Sequence, residues 1–334
     1  MLISLLAVIA LGCVAWFGTS AGFQFAFGII IPVLALAVFI FGFCLRMMGW
    51  SRSPVPFNIA TTGGQTRSLD WVRPNRLDSP YSKIATIGRM TLEILAFRSL
   101  FRNSSTQIKD GRMVQWSAPW LWIAALAFHY TFLLVFLRHF RFFIEPVPFF
   151  LTWGEALDGL MQVGAVRFLM TDGVIVAAIL FLLGRRILLP RIRYISLPSD
   201  YFPLFLLLGV TLSGICMRYF DKTDISSVKV LIMNVVGFNW GQPIPEGISS
   251  MFYLHLFFVS VLLMYFPFSK LMHMGGVFLS PTRNLPANSR AVRHINPWNP
   301  PKKYRTYAEY EDEFREAMAE AGLPLEKEPE NAAG

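Results

Sequence analysis

The chain has 334 residues, of which 54% are hydrophobic and 15% aromatic, with a mean hydropathy of +0.48; that is too apolar for an ordinary soluble domain. Its net charge of +9 suggests nucleic acid until the charges are located, because they cluster between apolar runs and read instead as membrane orientation. Cys13, Cys44 and Cys216 form no C-x-x-C pair, which excludes an iron–sulfur cluster, a zinc ribbon or a covalently attached c-type haem built by this chain alone.

Six runs are long enough for helices of about 20 residues crossing roughly 30 Å of hydrocarbon: about 2–18, 23–45, 118–142, 168–189, 202–220 and 250–273. The first has neither the basic n-region nor the cleavage motif of a signal peptide and reads as an uncleaved span. The expected fold is therefore an all-α membrane protein with six transmembrane helices. Residues 1–48 form two N-terminal spans, 49–117 an insertion, 118–273 a four-helix core and 274–334 a tail.

Eleven Lys or Arg lie between spans two and three, from Arg46 to Arg112. Arg185, Arg186, Arg191 and Arg193 follow span four, and Lys270, Arg283, Arg290 and Arg293 follow span six. The opposite connections, 143–167 and 221–249, are poorer in both. The positive-inside rule then puts both termini and the insertion in the cytoplasm of a cell whose cytoplasmic membrane holds the chain.

Within the insertion, "YSKIATIGRMTLEILAFRSLFRN" has helical apolar spacing with basic residues between, as for an amphipathic helix on the membrane surface or against a partner. Outside, 152–168 and 224–238 read as short interfacial helices. After span six, "LPANSRAVRHINPWNPPKKYR" is proline-rich and extended. A soluble helix follows, with Thr306 and Glu309 as a capping box and Gly322 as its stop. Tyr310, Phe314 and Met318 make an apolar stripe along it, at i, i+4 and i+8. "TTGGQT" lacks the context and the lysine of a phosphate-binding loop.

Four of the five histidines lie on two spans: His129 and His139 on span three, in "AFHYTFLLVFLRHF", and His255 and His273 on span six. The fifth, His294, sits in the proline-rich tail as an ordinary surface residue. Alone, a histidine at membrane depth is most simply a hydrogen-bonded packing residue, because polar groups there face the bundle interior and need a partner. The pairing argues for more. Two intervening spans make spans three and six antiparallel, so His129 falls level with His273 and His139 with His255. At 1.5 Å per residue the two separations are about 15 and 27 Å, a mismatch that tilted cofactor planes, crossing helices and Pro267 can absorb. Eighteen residues make about five turns, placing His255 and His273 on one face. Zinc or copper needs ligands converging on one point, and a proton channel would recruit carboxylates that the spans largely lack. Two bis-histidine b haems, stacked across the membrane, fit the four residues, with each iron taking one imidazole from each helix. A transporter would instead show broken spans and an internal repeat, and a bare membrane anchor would leave the histidines without a purpose.

Two histidines ten apart, then two eighteen apart on an antiparallel span, resemble the di-haem cytochrome b subunit of respiratory nitrate reductase over residues 23–273. The extra first span, the insertion and the tail look more like the DsrM-type cytochrome b of the sulfite-reductase-associated DsrMKJOP complex and its archaeal Hdr-like menaquinol-oxidising relatives. The resemblance implies an electron-transfer subunit, not catalytic alone. Menaquinol would be oxidised near the outer haem of His139 and His255. Electrons would leave by the inner haem of His129 and His273 for a cytoplasmic iron–sulfur partner like a heterodisulfide reductase subunit, with further membrane and periplasmic subunits in the complex. Arg138, Arg141, Arg167 and Asp172 lie near the outer ends of spans three and four as quinone-site candidates, although interfacial snorkelling is their ordinary reading. Arg112, Arg185 and Arg186 are candidates for the inner haem propionates.

Overall fold

A helix buried in lipid keeps its backbone hydrogen bonds within itself, so the apolar runs have one available conformation. The computed structural model describes every residue except 54–57, 60–64, 68, 103–104, 117, 145, 164–165, 294, 296–303 and 328–334. Among the described residues, five helices are long and apolar enough to cross a membrane: Leu2–Ser20, Ala26–Ser51, Pro119–Phe142, Pro198–Tyr219 and Ser250–Phe268. We number the elements in chain order. Helix α1 is Leu2–Ser20, and α2 is Ile31–Ser51, entered through a π-helical turn at Ala26–Ile30. The fourth expected span forms α7, Met170–Leu188. Only twelve residues separate Asp172 from Arg185 within it, so charges at both ends shorten its apolar stretch.

The remaining core helices are α5 (Pro119–His139), α9 (Pro198–Tyr219) and α11 (Ser250–Tyr265), with the short α8 (Pro190–Ile195) joining α7 to α9. Helix α7 packs against both α5 and α9, while α11 packs against α9, α2 and α1. The bundle is apolar outside: Ile3, Phe17, Phe41 and Phe136 are exposed, as a lipid-facing surface requires. Its buried polar residues bond to carbonyls, as Ser4 does to Pro198 O at 2.7 Å and Ser260 to Leu256 O at 2.8 Å.

Span six departs from expectation. The sequence reading carries one helix through 250–273, but α11 gives way to 3₁₀ turns at Phe266–Phe268 and Lys270–Met272, with Ser269 extended between them. Pro267 has no N–H to continue the ladder, and Gly42 of α2 allows its ring to approach: a Cβ on Gly42 would lie 2.8 Å from the Pro267 Cβ. Helix α12, His273–Leu279, therefore begins on a new axis, and the five-turn argument for a common face does not apply.

The insertion also holds more than one helix. Helix α3, Lys83–Ala96, is capped by Ser82, ends at Phe97 with φ 48° and ψ 45°, and is followed by α4, Arg98–Arg102. A hairpin follows, β1 (Ser105–Lys109) antiparallel to β2 (Arg112–Trp116). On the other side, the expected helix over 152–168 is instead α6 (Phe149–Asp158) followed by a second hairpin, β3 (Gly159–Val163) with β4 (Val166–Leu169). The expected helix at 224–238 is α10, Ile225–Val236, with Asp224 accepting from the Ser226 and Ser227 amides. It covers α11 through Val228 and Leu231, packed with Phe27, Phe252 and Tyr253.

The insertion is locked to the segment after span six. Arg89 donates to Asp78 O at 2.5 Å, Arg98 pairs with Asp78, and Arg283 lies 3.8 Å from Glu93. The Ala287 amide donates to Pro80 O at 2.6 Å, and Asn58 donates to the carbonyls of Pro281, in the short α13 (Pro281–Asn284), and Leu285. The tail helix α14, Tyr307–Glu320, has the Thr306–Glu309 capping box, and Gly322 follows it at φ 68°. Met318 is already buried, leaving Tyr310 and Phe314 as the exposed part of its stripe. His294 and residues 296–303 of the proline-rich stretch lie outside the described residues.

Candidate functional site: two imidazole pairs

Helix α5 is not closely packed against α11 or α12 along the backbone, yet its histidines meet His255 of α11 and His273 of α12. The rings of His129 and His273 have centroids 6.0 Å apart with planes at 80°, and those of His139 and His255 are 6.2 Å apart and nearly parallel, at 10°. The four thus fall into two separate pairs, one at the middle of α5 and one at its C-terminal end. No group of three or more His, Cys, Asp or Glu side chains that could hold an ion occurs among the described residues.

The hydrogen bonds fix the chemistry of each ring. Nδ1 of His129 lies 2.7 Å from Ala125 O, that of His139 2.7 Å from Val135 O, and that of His273 2.9 Å from Lys270 O. Nδ1 of His255 lies 3.1 Å from Val210 O and 3.0 Å from Ser213 Oγ. A carbonyl can only accept, so each Nδ1 carries the proton. In a neutral imidazole the lone pair is then on Nε2, the tautomer that a metal ligand needs and that a backbone carbonyl conventionally sets.

This donor set fits a b-type haem. Half of each ring separation is about 3 Å, close to a metal–nitrogen bond of about 2 Å plus roughly 1 Å from nitrogen to ring centre. Two imidazoles also complete the coordination of an iron whose other positions a porphyrin fills. Helix α9 contributes no ligand but orients one: Ser213 donates to Gly209 O at 2.8 Å, leaving its oxygen free to accept from His255. Gly214 gives the ring room, since a Cβ there would stand 3.3 Å from His255 Cε1. Sequence reasoning missed both residues. Their signal is a Ser-Gly step in an otherwise apolar run, facing a histidine span.

At the His139 end, the four quinone-site candidates separate by environment. Arg138 is buried and does not snorkel. Its Nη1 donates to Asp158 at 2.5 Å and its Nη2 to Thr171 at 2.9 Å, with Asp172 at 3.7 Å. Asp172 also accepts from the Tyr219 hydroxyl at 2.7 Å, and Arg218 stands 3.8 Å away. Arg138 Nε is buried with no hydrogen-bond partner among the described residues. Arg141, by contrast, is partly exposed and pairs with Glu155 at 2.7 Å, and Arg167 is exposed and donates to Ala156 O at 2.9 Å. Asp158, Thr171 and Tyr219 join this network without having been singled out by sequence.

Around His129, the rings of Phe97 and Phe128 stand nearly perpendicular to the imidazole, with centroids 4.9 and 5.1 Å from its own. The left-handed backbone at Phe97 costs an L-residue roughly 1–2 kcal/mol. Of the propionate candidates, Arg186 donates to Ser196 at 3.1 Å, Arg185 lies beside it on α7, and Arg112 is exposed on β2.

Comparison with known proteins places the chain in a family. The family model of the nitrate reductase gamma subunit matches residues 91–293, a stretch that holds all four paired histidines. Over 279 residues the chain is 47% identical to the Hdr-like menaquinol oxidoreductase cytochrome b-like subunit of Archaeoglobus fulgidus, covering 82% of this chain and 83% of that one. Over 278 residues it is 42% identical to the protein of the same description from Archaeoglobus profundus, covering 81% and 82%.

Proposed function

Because the chain belongs to the nitrate reductase gamma-like family of membrane cytochrome b subunits, we propose that it is the six-span, di-haem electron-transfer subunit of a menaquinol oxidoreductase in the cytoplasmic membrane. The observation that carries the reading is the pair of imidazole pairs, 6.0 and 6.2 Å apart, with every Nδ1 held by a carbonyl. His129 and His273 hold one haem and His139 and His255 the other. Bound there, the haems supply one-electron carriers between the two faces of the membrane.

The remaining chemistry belongs to the protein. Menaquinol binds at the outer end, near Arg138, Arg141, Arg167 and Asp172, and its oxidation releases two electrons and two protons. The Asp172 carboxylate, hydrogen-bonded to Tyr219, is placed to accept such a proton, and Arg138 holds that carboxylate in place. His129 and His255 are partly buried in the apolar bundle, while His139 and His273 are exposed at its surface. Residues 118–273 are the redox core, while 49–117 and 274–334 face the cytoplasm and dock the iron–sulfur partner that this chain's cysteines cannot replace. The relatives' Hdr-like description supports a heterodisulfide-reductase-like partner, and the resemblance to the DsrM-type cytochrome b is what suggests sulfur- or sulfite-linked respiration.

The test is optical. The purified chain should bind two haems, show b-type bands with dithionite, and show the same bands with a menaquinol analogue. A chain that folds in membranes without haem would be an anchor, and the redox reading would fall.

A further inference from the structure

Four non-glycine residues among those described have positive φ: Phe97, Asp110, Lys222 and Phe238. Phe97 is the one whose ring rests on an intramembrane histidine, edge to face with His129 at 4.9 Å. A left-handed helix end is ordinarily Gly or Asn, which adopt it without strain. A strained residue persists where its surroundings over-determine it, and here they do. The last carbonyls of α3 are taken by the helix that carries His129: Trp122 Nε1 donates to Ala96 O at 2.7 Å, and the Tyr130 hydroxyl donates to Leu95 O at 2.8 Å. Just past the turn, the Ser99 amide donates to Glu93 at 3.0 Å, and the Ser99 hydroxyl bonds the same carboxylate. Glu93 is buried and lies 4.0 Å from Arg89 and 3.8 Å from Arg283. One carboxylate thus joins the insertion, the segment after span six and the turn that aims Phe97.

We propose that Phe97 is a positioning residue for the inner imidazole pair, holding His129 from the insertion's side, screening that ring from water and coupling it to the ion-paired frame around Glu93. The proposal rests on the di-haem reading and goes beyond it, since the family match assigns no role to the insertion. Its physical content is a reduction potential. Water reaching a haem favours the more charged ferric state, so an apolar ring over the ligand raises the potential of that haem alone.

The full-length chain carrying Phe97→Ala or Phe97→Gly tests this by redox titration and low-temperature optical spectra, with the haems told apart by the His129→Ala variant. Both substitutions remove the ring, while glycine also relieves the backbone, so the role of the ring predicts a shift in each. The inner haem should titrate at a lower potential with a broadened band, or be lost, while the outer haem keeps its wild-type potential; Phe97→Tyr should restore the inner haem. Glu93→Gln should shift the same haem in the same direction by less. An inner haem unchanged in both Phe97 variants would overturn the proposal, as would equal disturbance of both haems or failure of tyrosine to restore. Wild-type chain lacking two haems would sink the di-haem reading instead.

Discussion

His255 shows how a single imidazole is prepared for ligation. Its Nδ1–H is taken by Val210 O and Ser213 Oγ, and Gly214 leaves space at Cε1. Gly214→Leu fills that space and must tilt or displace the ring. The variant should lose the outer haem and keep the inner one, which haem content per chain and a reduced-minus-oxidised spectrum will report. Arg138 carries the other prediction at this scale. Removing one member of a buried ion pair leaves an uncompensated charge worth about 3–5 kcal/mol. Asp158→Ala should therefore destabilise the protein by about that much, with Asp158→Asn milder because its amide oxygen still accepts a hydrogen bond. Thermal unfolding of the two variants in the same detergent would measure the difference. The histidines themselves were legible in the sequence because polar groups stand out in an apolar run. Asp158, Tyr219 and Phe97 were not, because an acid in an interfacial helix, a span tyrosine and a phenylalanine in an amphipathic helix are ordinary until their neighbours are known.

Helix starts and stops followed local chemistry where the signal was strong. The Thr306–Glu309 capping box and Gly322 bound α14 as read. The break in span six was illegible because Pro267 within an apolar run signals a kink but not its extent, and the close approach of the Pro267 ring to Gly42 of α2 is a packing fact. The hairpin at 159–169 defeated helical periodicity because so short a segment matches both patterns. At this scale the tail makes a pH prediction. Glu311 accepts from the backbone amides of Glu326 and Lys327, at 2.8 and 2.9 Å, and lies 3.7 Å from Arg315, which holds its carboxyl below the ordinary value of 4.5. A depressed folded value stabilises the fold above the unfolded value and loses that contribution as pH falls through the folded one. The α14 tail, closed back on itself, should thus stay protected from hydrogen exchange at neutral pH and open below about 4.5. Glu311→Gln should abolish this dependence and leave the tail equally protected at both pH values.

For the whole molecule, the positive-inside reading predicts that both termini and the insertion share one side. The interlock of Glu93 with Arg283 and of Pro80 with Ala287 requires the insertion and the segment after span six to be on the same face. Cysteines introduced at 75 and 310 should resist a membrane-impermeant reagent in intact cells and react in inverted vesicles. Labelling of either from outside would reverse the orientation. The central claim is that α5, with His255 of α11 and His273 of α12, holds two haems at two levels, and redox titration of His129→Ala, His273→Ala, His139→Ala and His255→Ala tests it most directly. The account predicts that the first two variants lose one and the same haem and the last two lose the other, with the remaining haem titrating normally in each case. Loss of a single common haem in all four variants, or of neither haem in any, would contradict it.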